Sequence, residues 1–257
     1  MNRTGLIVAL TIAAVAAVVF AVFPELDLKA AGIFYPVRMG QFAFAWRLSP
    51  KLILVHDIAL KAGFLLLIPF VLAILAKLFV PGWRMFVSPR AAVFLILTML
   101  LGPGLLVNVG LKDHWGRPRP IDVTQFGGDE HFVAWWDPRG ACPNNCSFVS
   151  GDVATAAWTF APAALLPSPW QPLAFGAAFA LTAFMAVIRI MAGGHFPSDT
   201  IFAAVFTYLL IWLAYALIYR WRLTRLDDKV LEQGLARMSL ISLLRPGRRA
   251  NSSANDG

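Results

Sequence analysis

The chain has 257 residues, of which 59% are apolar and only 14% are charged, and its formal net charge is +8 at pH 7. A water-soluble domain carries about 25% charged residues, so this composition excludes a cytosolic enzyme and a disordered chain. The mean hydropathy of +0.68 indicates a protein embedded in lipid. The basic residues gather at membrane edges and in one loop system, so they do not indicate a nucleic-acid partner.

Six apolar stretches approach the length that a helix needs to cross the hydrocarbon core, about 17–25 residues. In chain order they are residues 6–23, 62–79, 91–111, 153–166, 173–191 and 201–219. The fourth is short and contains Pro162, and it reaches a usable length only if its helix begins near Ser150. We therefore expect an all-α polytopic membrane protein with six transmembrane helices, in which residues 1–220 form the membrane domain.

Six crossings place both termini on one side of the membrane, and the distribution of Lys and Arg favours the cytoplasm for that side. Residues 221–257 are then a cytoplasmic tail, in which leucines at helical spacing among basic residues indicate an amphipathic surface helix. We expect residues 250–257 to be disordered. Residues 25–51 form an outer loop whose aromatic side chains predict a belt at the lipid headgroups, or a grip on a lipid substrate: Phe34, Tyr35, Phe42, Phe44 and Trp46.

Three polar clusters lie at span ends that share one membrane face. Residues 112–120 follow the third span, residues 146–152 lead into the fourth, and residues 189–199 join the fifth to the sixth. Charges in the membrane cost about 2.5–3.5 kcal/mol each on insertion scales, so they mark functional sites by default. Three clusters on one face therefore favour a functional site over ordinary anchoring by Arg and Lys.

The cationic residues of these clusters suit a phosphate group. Lys112 supplies a point charge, and Arg119 and Arg189 supply planar forks that match phosphate oxygens. Ser150 and Gly151, at a helix start, add backbone N–H groups and the positive end of a helix dipole.

The third cluster also contains a candidate nucleophile. His195 and Asp199 are four residues apart, so on a helical turn they could share a face. A carboxylate bonded to one ring nitrogen fixes the tautomer and makes the other nitrogen more nucleophilic. The chemistry that fits is transfer of a phosphoryl group to histidine, followed by hydrolysis.

The ordered motifs resemble the type 2 phosphatidic acid phosphatase superfamily: Lys-x6-Arg-Pro from Lys112, then Ser150-Gly151, then Arg-x5-His-x3-Asp from Arg189. The resemblance covers about residues 54–220, and it implies a six-span phosphatase of lipid phosphates without a metal or other cofactor. It also implies that His195 forms a phosphohistidine and that Asp199 activates it. The implied phosphate-binding residues are Lys112, Arg119, Ser150, Gly151 and Arg189.

Two positions depart from the family pattern. Ile188 stands where many members have serine, and Asp152 stands where the family usually has the histidine that protonates the leaving alkoxide. An aspartate can act as that acid only if its pKa lies well above about 3.9. Three interpretations remain open: Asp152 is an unusual acid, His114 or His131 supplies the proton, or the leaving group needs little protonation.

Residues 102–108, 112–120 and 145–152 are also similar to a bacterial subgroup described as lipid A 4′-phosphatase-like, in which the position of Asp152 is commonly acidic. The expected substrate is therefore lipid A phosphate, at the periplasmic face of the inner membrane. Undecaprenyl pyrophosphate, phosphatidylglycerophosphate and transfer of the phosphate to a second lipid remain alternatives. A transporter is disfavoured, because the spans are nearly uncharged at mid-depth.

Several polar residues and two cysteines lie outside the fixed positions of the three motifs. Arg117 lies in the first motif outside its fixed positions and is a secondary phosphate contact or a headgroup anchor. His114 is a possible secondary site residue that acts in catalysis, or a packed interfacial histidine. Cys142 and Cys146 are a candidate disulfide on an oxidising side of the membrane, with two free thiols as the alternative. No Cys or His spacing indicates a metal site. Three polar residues precede the second span: His56, Asp57 and Lys61. An ion pair between Asp57 and Lys61 at a helix start explains them.

Overall fold

The computed structural model of the chain describes residues 1–35, 37–38, 41–42, 44, 47 and 49–239. The expected disorder of residues 250–257 and the placement of Trp46 lie outside this description. In chain order the helices are α1 (Arg3–Val22), α2 (Glu25–Gly32), α3 (Pro50–Phe79), α4 (Pro89–Met99), α5 (Gly151–Ala157), α6 (Phe160–Leu165), α7 (Trp170–Met191), α8 (Pro197–Tyr215) and α9 (Asp228–Arg237).

Smaller elements complete the fold. Wider π-helical turns continue α4 over Leu100–Leu111 and α8 over Ala216–Arg220. A two-residue antiparallel ladder pairs β1 (Val37–Arg38) with β2 (Gln41–Phe42). Apart from this ladder and one isolated bridge, the regular structure of the described residues is helical.

Within the described ranges, five helices are long and apolar enough to cross a membrane: Arg3–Val22, Pro50–Phe79, Pro89–Leu111, Trp170–Met191 and Pro197–Arg220. They confirm the first, second, third, fifth and sixth expected spans. Helix α3, however, begins at Pro50 rather than at residue 62, because proline fits the first helical turn and the polar residues that interrupt the apolar run do not break the helix. This extension places His56 and Asp57 inside the helix.

The fourth expected span is formed by two short helices, α5 and α6. Helix α5 is enclosed by α3, α7, α8 and the π-helical turns after α4, and its alanines let those neighbours approach closely. The helix ends near Trp158, whose buried indole N–H donates to Thr98 Oγ1 at 3.0 Å. Pro162 lies in the first turn of α6, where its missing N–H costs little.

The described part of the tail packs on the helix ends farthest from the polar clusters. Lys77, near the end of α3, donates to Glu232 of α9 at 2.9 Å, and the backbone N–H of Arg90 donates to Asp228 at 2.9 Å. Helix α9 is therefore docked through acidic side chains, which the interpretation as a basic surface helix does not include. The expected boundary at residue 220 stays a prediction.

Two aromatic residues of the outer loop, Tyr35 and Phe44, belong to an internal cluster with Phe126, while the side chain of Phe42 lies outside the described residues. Phe44 is buried, and its ring lies 5.1 Å from that of Tyr35 and 5.4 Å from that of Phe126. The expected headgroup belt is therefore wrong for Phe44, because this ring packs beneath the loop that carries the third polar cluster, against Gly193.

Candidate active site

Backbone hydrogen bonds join the three polar clusters into one site. The N–H of Cys146 donates to the carbonyl of Lys112 at 2.9 Å, and the N–H of Ser147 donates to the carbonyl of Arg117 at 2.8 Å. The N–H of Ile121 donates to the carbonyl of Gly193 at 3.2 Å, which ties the first cluster to the third. Residues from distant parts of the chain therefore meet at one end of the helices.

Lys112, Arg119 and Arg189 concentrate positive charge at this site. Arg119 donates twice to the carbonyl of Asn145, at 2.7 and 3.1 Å. The guanidinium of Arg189 lies over Gly194, where an added Cβ would be 2.6 Å from its Nη2 atom. Burial and the neighbouring Arg119 charge lower the pKa of Lys112. An anion that enters among these side chains would relieve their mutual repulsion.

His195 is completely buried at the centre of this charge. Its Nδ1 atom is 2.7 Å from the carbonyl oxygen of Ser147, which can only accept, so Nδ1 carries the ring proton. Within the part of the chain that the structure describes, Nε2 has no hydrogen-bond partner. Burial, and then the charges of Arg189 and Arg119, hold the pKa of His195 well below its usual range. The ring is therefore neutral at physiological pH and presents a free lone pair.

Asp199 lies near this histidine but bonds to other groups, which corrects the expected direct contact. Its carboxylate accepts from the Ser147 hydroxyl, from the backbone N–H of Phe196 at 2.8 Å and from Arg117. The expectation of a shared helical face fails because α8 begins only at Pro197, so His195 lies in the preceding loop. Asp199 instead holds Ser147, whose carbonyl orients the imidazole.

Arg117 is buried beneath the site, so its expected role as a phosphate contact or headgroup anchor is wrong. Its guanidinium donates to Asp199, to Ser198 Oγ at 2.8 Å and to Asp27 at 2.8 Å, and its Nε atom donates to the carbonyl of Val133 at 3.0 Å. With these acceptors and no exposed surface, the side chain cannot reach a ligand. It is a structural cation that ties the first cluster to α8.

Sequence reasoning missed Asp27, the second acid in this buried network. Asp27 belongs to α2 and also accepts from the backbone N–H and the hydroxyl of Ser198, at 3.0 and 2.6 Å. Nothing in its local sequence distinguishes it from the neighbouring Glu25, because its partners are 90 and 171 residues away.

The start of α5 is shaped for close approach. Ser150 caps its own helix by accepting from the backbone N–H of Val153 at 3.4 Å. At Gly151 an added Cβ would be 2.6 Å from Asn108 Oδ1, so a larger residue would collide with this side chain. Phosphate binding by Ser150 and by the Gly151 amide stays a prediction.

Asp152 connects the cationic cluster to His56, to which the sequence analysis gave no role in the site. Its Oδ2 atom is 2.9 Å from Arg189 Nε, an ion pair without hydrogen-bond alignment, and 3.2 Å from His56 Nε2. The other ring nitrogen of His56 is 3.2 Å from Asp57 Oδ1. The expected Asp57–Lys61 pair is thus replaced by an Asp57–His56 pair.

The other two candidate proton donors lie apart from this cluster. His114 is exposed and its Nδ1 atom is 2.9 Å from the carbonyl of Val109, while His131 is exposed in the segment between the first and second polar clusters. Neither lines the two cavities at the site.

Two neighbouring cavities with shared lining residues open at the charged cluster. The first, of about 310 Å³, is bounded by His56, Asp57, Arg119, Arg189 and Gly194, together with the apolar side chains of Leu52, Ile53 and Ile188. The second, of about 390 Å³, shares Arg119 with the first and extends toward the segment that leads into the second polar cluster, where Asn144 and Asn145 line it. The site therefore combines a cationic floor with an apolar wall.

Cys142 and Cys146 form a disulfide in the loop that leads to Ser147, with Cα atoms 5.8 Å apart. The bond fixes the segment that supplies the Ser147 carbonyl, the acceptor for His195.

Comparisons with known proteins agree with this architecture. A family model described as the PAP2 superfamily matches residues 91–223, a range that contains all three polar clusters. The chain belongs to the PAP2 superfamily, which confirms the resemblance read from the motifs.

Two similar proteins carry the same name, lipid A 4′-phosphatase. The chain is 38% identical over 222 residues to a lipid A 4′-phosphatase of Francisella tularensis subsp. novicida, covering 86% of this chain and 98% of that protein. It is 42% identical over 104 residues to a lipid A 4′-phosphatase of Rhizobium leguminosarum, covering 40% of this chain and 45% of that protein. No solved structure gives a significant match.

Proposed function

We propose that this protein is a membrane phosphatase that hydrolyses the 4′-phosphate of lipid A. One observation carries the proposal: the free Nε2 atom of a neutral, buried His195 lies among Lys112, Arg119 and Arg189. The relative that the chain matches along 98% of its length is named for that reaction. The apolar wall beside the cations suits a phosphate attached to a lipid.

In this mechanism the three cations bind the phosphate oxygens and stabilise the charge that develops on them. Nε2 of His195 attacks phosphorus while the bond to the lipid oxygen breaks, and water then hydrolyses the phosphohistidine. The carbonyl of Ser147 keeps the ring oriented and stabilises the charge that it gains. Asp199 and Arg117 hold this carbonyl in place from below.

The reaction proceeds in this proposal without a metal ion. Lys112, Arg119 and Arg189 supply the positive charge that a metal would bring to a transferring phosphoryl group.

The membrane arrangement is also part of the proposal. In this proposal the chain crosses a bacterial inner membrane six times, with α5 and α6 together as the fourth crossing, and the site faces the periplasm. The disulfide on the site's side favours an oxidising compartment. At the other end of the helices, Lys77, Arg84 and Arg90 follow the positive-inside pattern.

The test is phosphate release from lipid A by purified wild-type protein and by His195→Ala, both in excess chelator. We expect wild-type activity to persist, and the variant to lose at least about 10³-fold because it lacks the nucleophile. Denaturing the enzyme during turnover should trap acid-labile phosphate on the wild type alone. Wild-type rates in His195→Ala would overturn the mechanism, and loss of activity in chelator would overturn the metal-free scheme.

A further inference from the structure

When the bond between phosphorus and a sugar oxygen breaks, the leaving oxygen needs a proton. The surroundings of Asp152 indicate that this residue does not supply it. An alkoxide is a poor leaving group, so a general acid contributes about 10²–10⁴-fold to such reactions. The Oδ2 atom of Asp152 lies beside both Arg189 and His56, and these partners favour the ionised carboxylate. An ionised carboxylate accepts protons and has none to give.

His56 has the arrangement that a proton donor needs. Each of its ring nitrogens lies 3.2 Å from a carboxylate oxygen, Nδ1 from Asp57 and Nε2 from Asp152. An imidazolium has two N–H donors, so this pair of acceptors suits the protonated ring. His56 also lines the cavity that Arg119, Arg189 and Gly194 border.

We infer that His56 is the catalytic acid of this site and that Asp152 is its positioning residue. The inference rests on the proposed phosphatase function. As Nε2 of His195 forms its bond to phosphorus, the bond from phosphorus to the lipid oxygen breaks, and that oxygen takes the Nε2 proton of His56. Neutral His56 then takes a proton from the water that attacks the phosphohistidine. Free phosphate, free lipid hydroxyl and protonated His56 result.

The charged groups around His56 are consistent with this cycle. Asp57 lies beside it on α3, Asp152 faces it from α5 and Arg189 approaches from α7. The carboxylates of Asp57 and Asp152 face the two ring nitrogens of His56, and Arg189 pairs with Asp152 on the side of the phosphate site. The ring is 18% exposed, enough to meet a substrate in the cavity and too little to be a solvated surface histidine.

The test compares two substrates that differ in their need for a proton. One is lipid A, whose sugar oxygen must be protonated; the other is a nitrophenyl phosphate with a long alkyl chain, whose phenolate leaves without one. We expect His56→Gln to lose at least about 10²-fold in kcat on lipid A and less than about threefold on the nitrophenyl substrate. Lys61→Gln, an exposed site on the same helix, is the matched control and should keep both rates.

A second variant guards against a local folding effect. Asp57→Asn keeps the histidine and removes one carboxylate partner, so we expect about a tenfold loss confined to lipid A. Equal losses on both substrates, or no loss on either, in His56→Gln would overturn the inference, since a merely structural role does not depend on the leaving group. His195→Ala should lose both substrates, so a failure of the phosphatase mechanism is distinguishable from a failure of this inference.

Discussion

Two neighbouring glycines at this site are constrained by the side chains that lie close to them. Gly193 has a φ of +66°, a left-handed conformation that favours glycine, and an added Cβ there would be 2.4 Å from the Phe44 ring. Gly194, the next residue, lies against the guanidinium of Arg189. The two glycines let the loop that leads to His195 pass between the Phe44 ring and the Arg189 guanidinium.

Gly194→Ala should lower activity without unfolding the protein. The new Cβ would be 2.6 Å from Arg189 Nη2, and the end of this flexible side chain would move rather than the backbone. A displacement of about 1 Å in a positioning group can cost about 10²-fold, so we expect kcat/KM on lipid A to fall by about 10–100-fold.

Gly176→Ala is the control for that measurement, because it lies on the same helix as Arg189 and an added Cβ meets nothing within 4 Å. Equal rates in the two variants would show that the position of Arg189 is unimportant.

Residue chemistry was the part of the site most readable from sequence. Lys112, Arg119, Arg189 and His195 stand out because charged and titratable groups at apolar span ends are costly and rare. The partner of the imidazole was not readable, because a backbone carbonyl leaves no trace in the residue type at position 147. His56 was equally hidden, since its contact with Asp152 joins residues 96 positions apart.

At the scale of elements, a buried ion network fastens the loops that carry the site. Arg117 joins α2 to α8 through Asp27 and Asp199, and its guanidinium lies 4.6 Å from the centre of the Phe196 ring. The same Asp199 accepts from Ser147, so the orientation of His195 depends on this network.

Asp27→Ala should destabilise the protein strongly. The change leaves Arg117 Nη2 and the backbone N–H of Ser198 buried without their acceptor, although Asp199 still balances the Arg117 charge. Each buried polar group left without a partner costs about 1–3 kcal/mol. We expect a clear drop in the unfolding temperature in detergent, with a lower kcat because Arg117 and Asp199, which holds Ser147, are less firmly fixed.

The comparison is Arg139→Ala, which breaks the exposed Asp137–Arg139 pair, whose arginine is 81% exposed. Exposed pairs contribute about 0–1 kcal/mol, so that variant should unfold near the wild-type temperature. Equal stability of the two variants would contradict the structural role of the network.

Apolar length predicted the long helices because hydrocarbon thickness sets that length directly. It missed the early start of α3, where His56, Asp57 and Lys61 interrupt the apolar run although the backbone stays helical. Pro162 marked the fourth segment as interrupted, and the break falls at Trp158 and Thr159, where the carbonyl of Trp158 has no N–H of residue 162 to accept.

At the scale of the whole molecule, α3 connects the site to the docked tail. His56 and Lys77 are 21 residues apart along this helix, which corresponds to about 32 Å at 1.5 Å per residue. Lys77 is buried at the far end and donates to Glu232 and to the carbonyl of Trp83.

Glu232→Ala should therefore separate stability from catalysis. The buried ammonium of Lys77 would lose its carboxylate, which lowers the unfolding temperature, while kcat/KM stays within about twofold because the site is remote. Lys229→Ala, an exposed change on the same helix, should alter neither quantity. A large loss of activity in Glu232→Ala would mean that the tail communicates with the site.

The apolar wall of the first cavity has a consequence for how the enzyme meets its substrate. Leu52 and Ile53 belong to a helix long and apolar enough to cross a membrane, and Ile53 is 48% exposed on it, so we expect the opening to face the lipid. A lipid reaching the cavity by this side travels within a two-dimensional film. Turnover then follows the mole fraction of substrate in that film, so inert lipid or detergent slows the reaction by surface dilution while a change in aqueous volume leaves it unaltered.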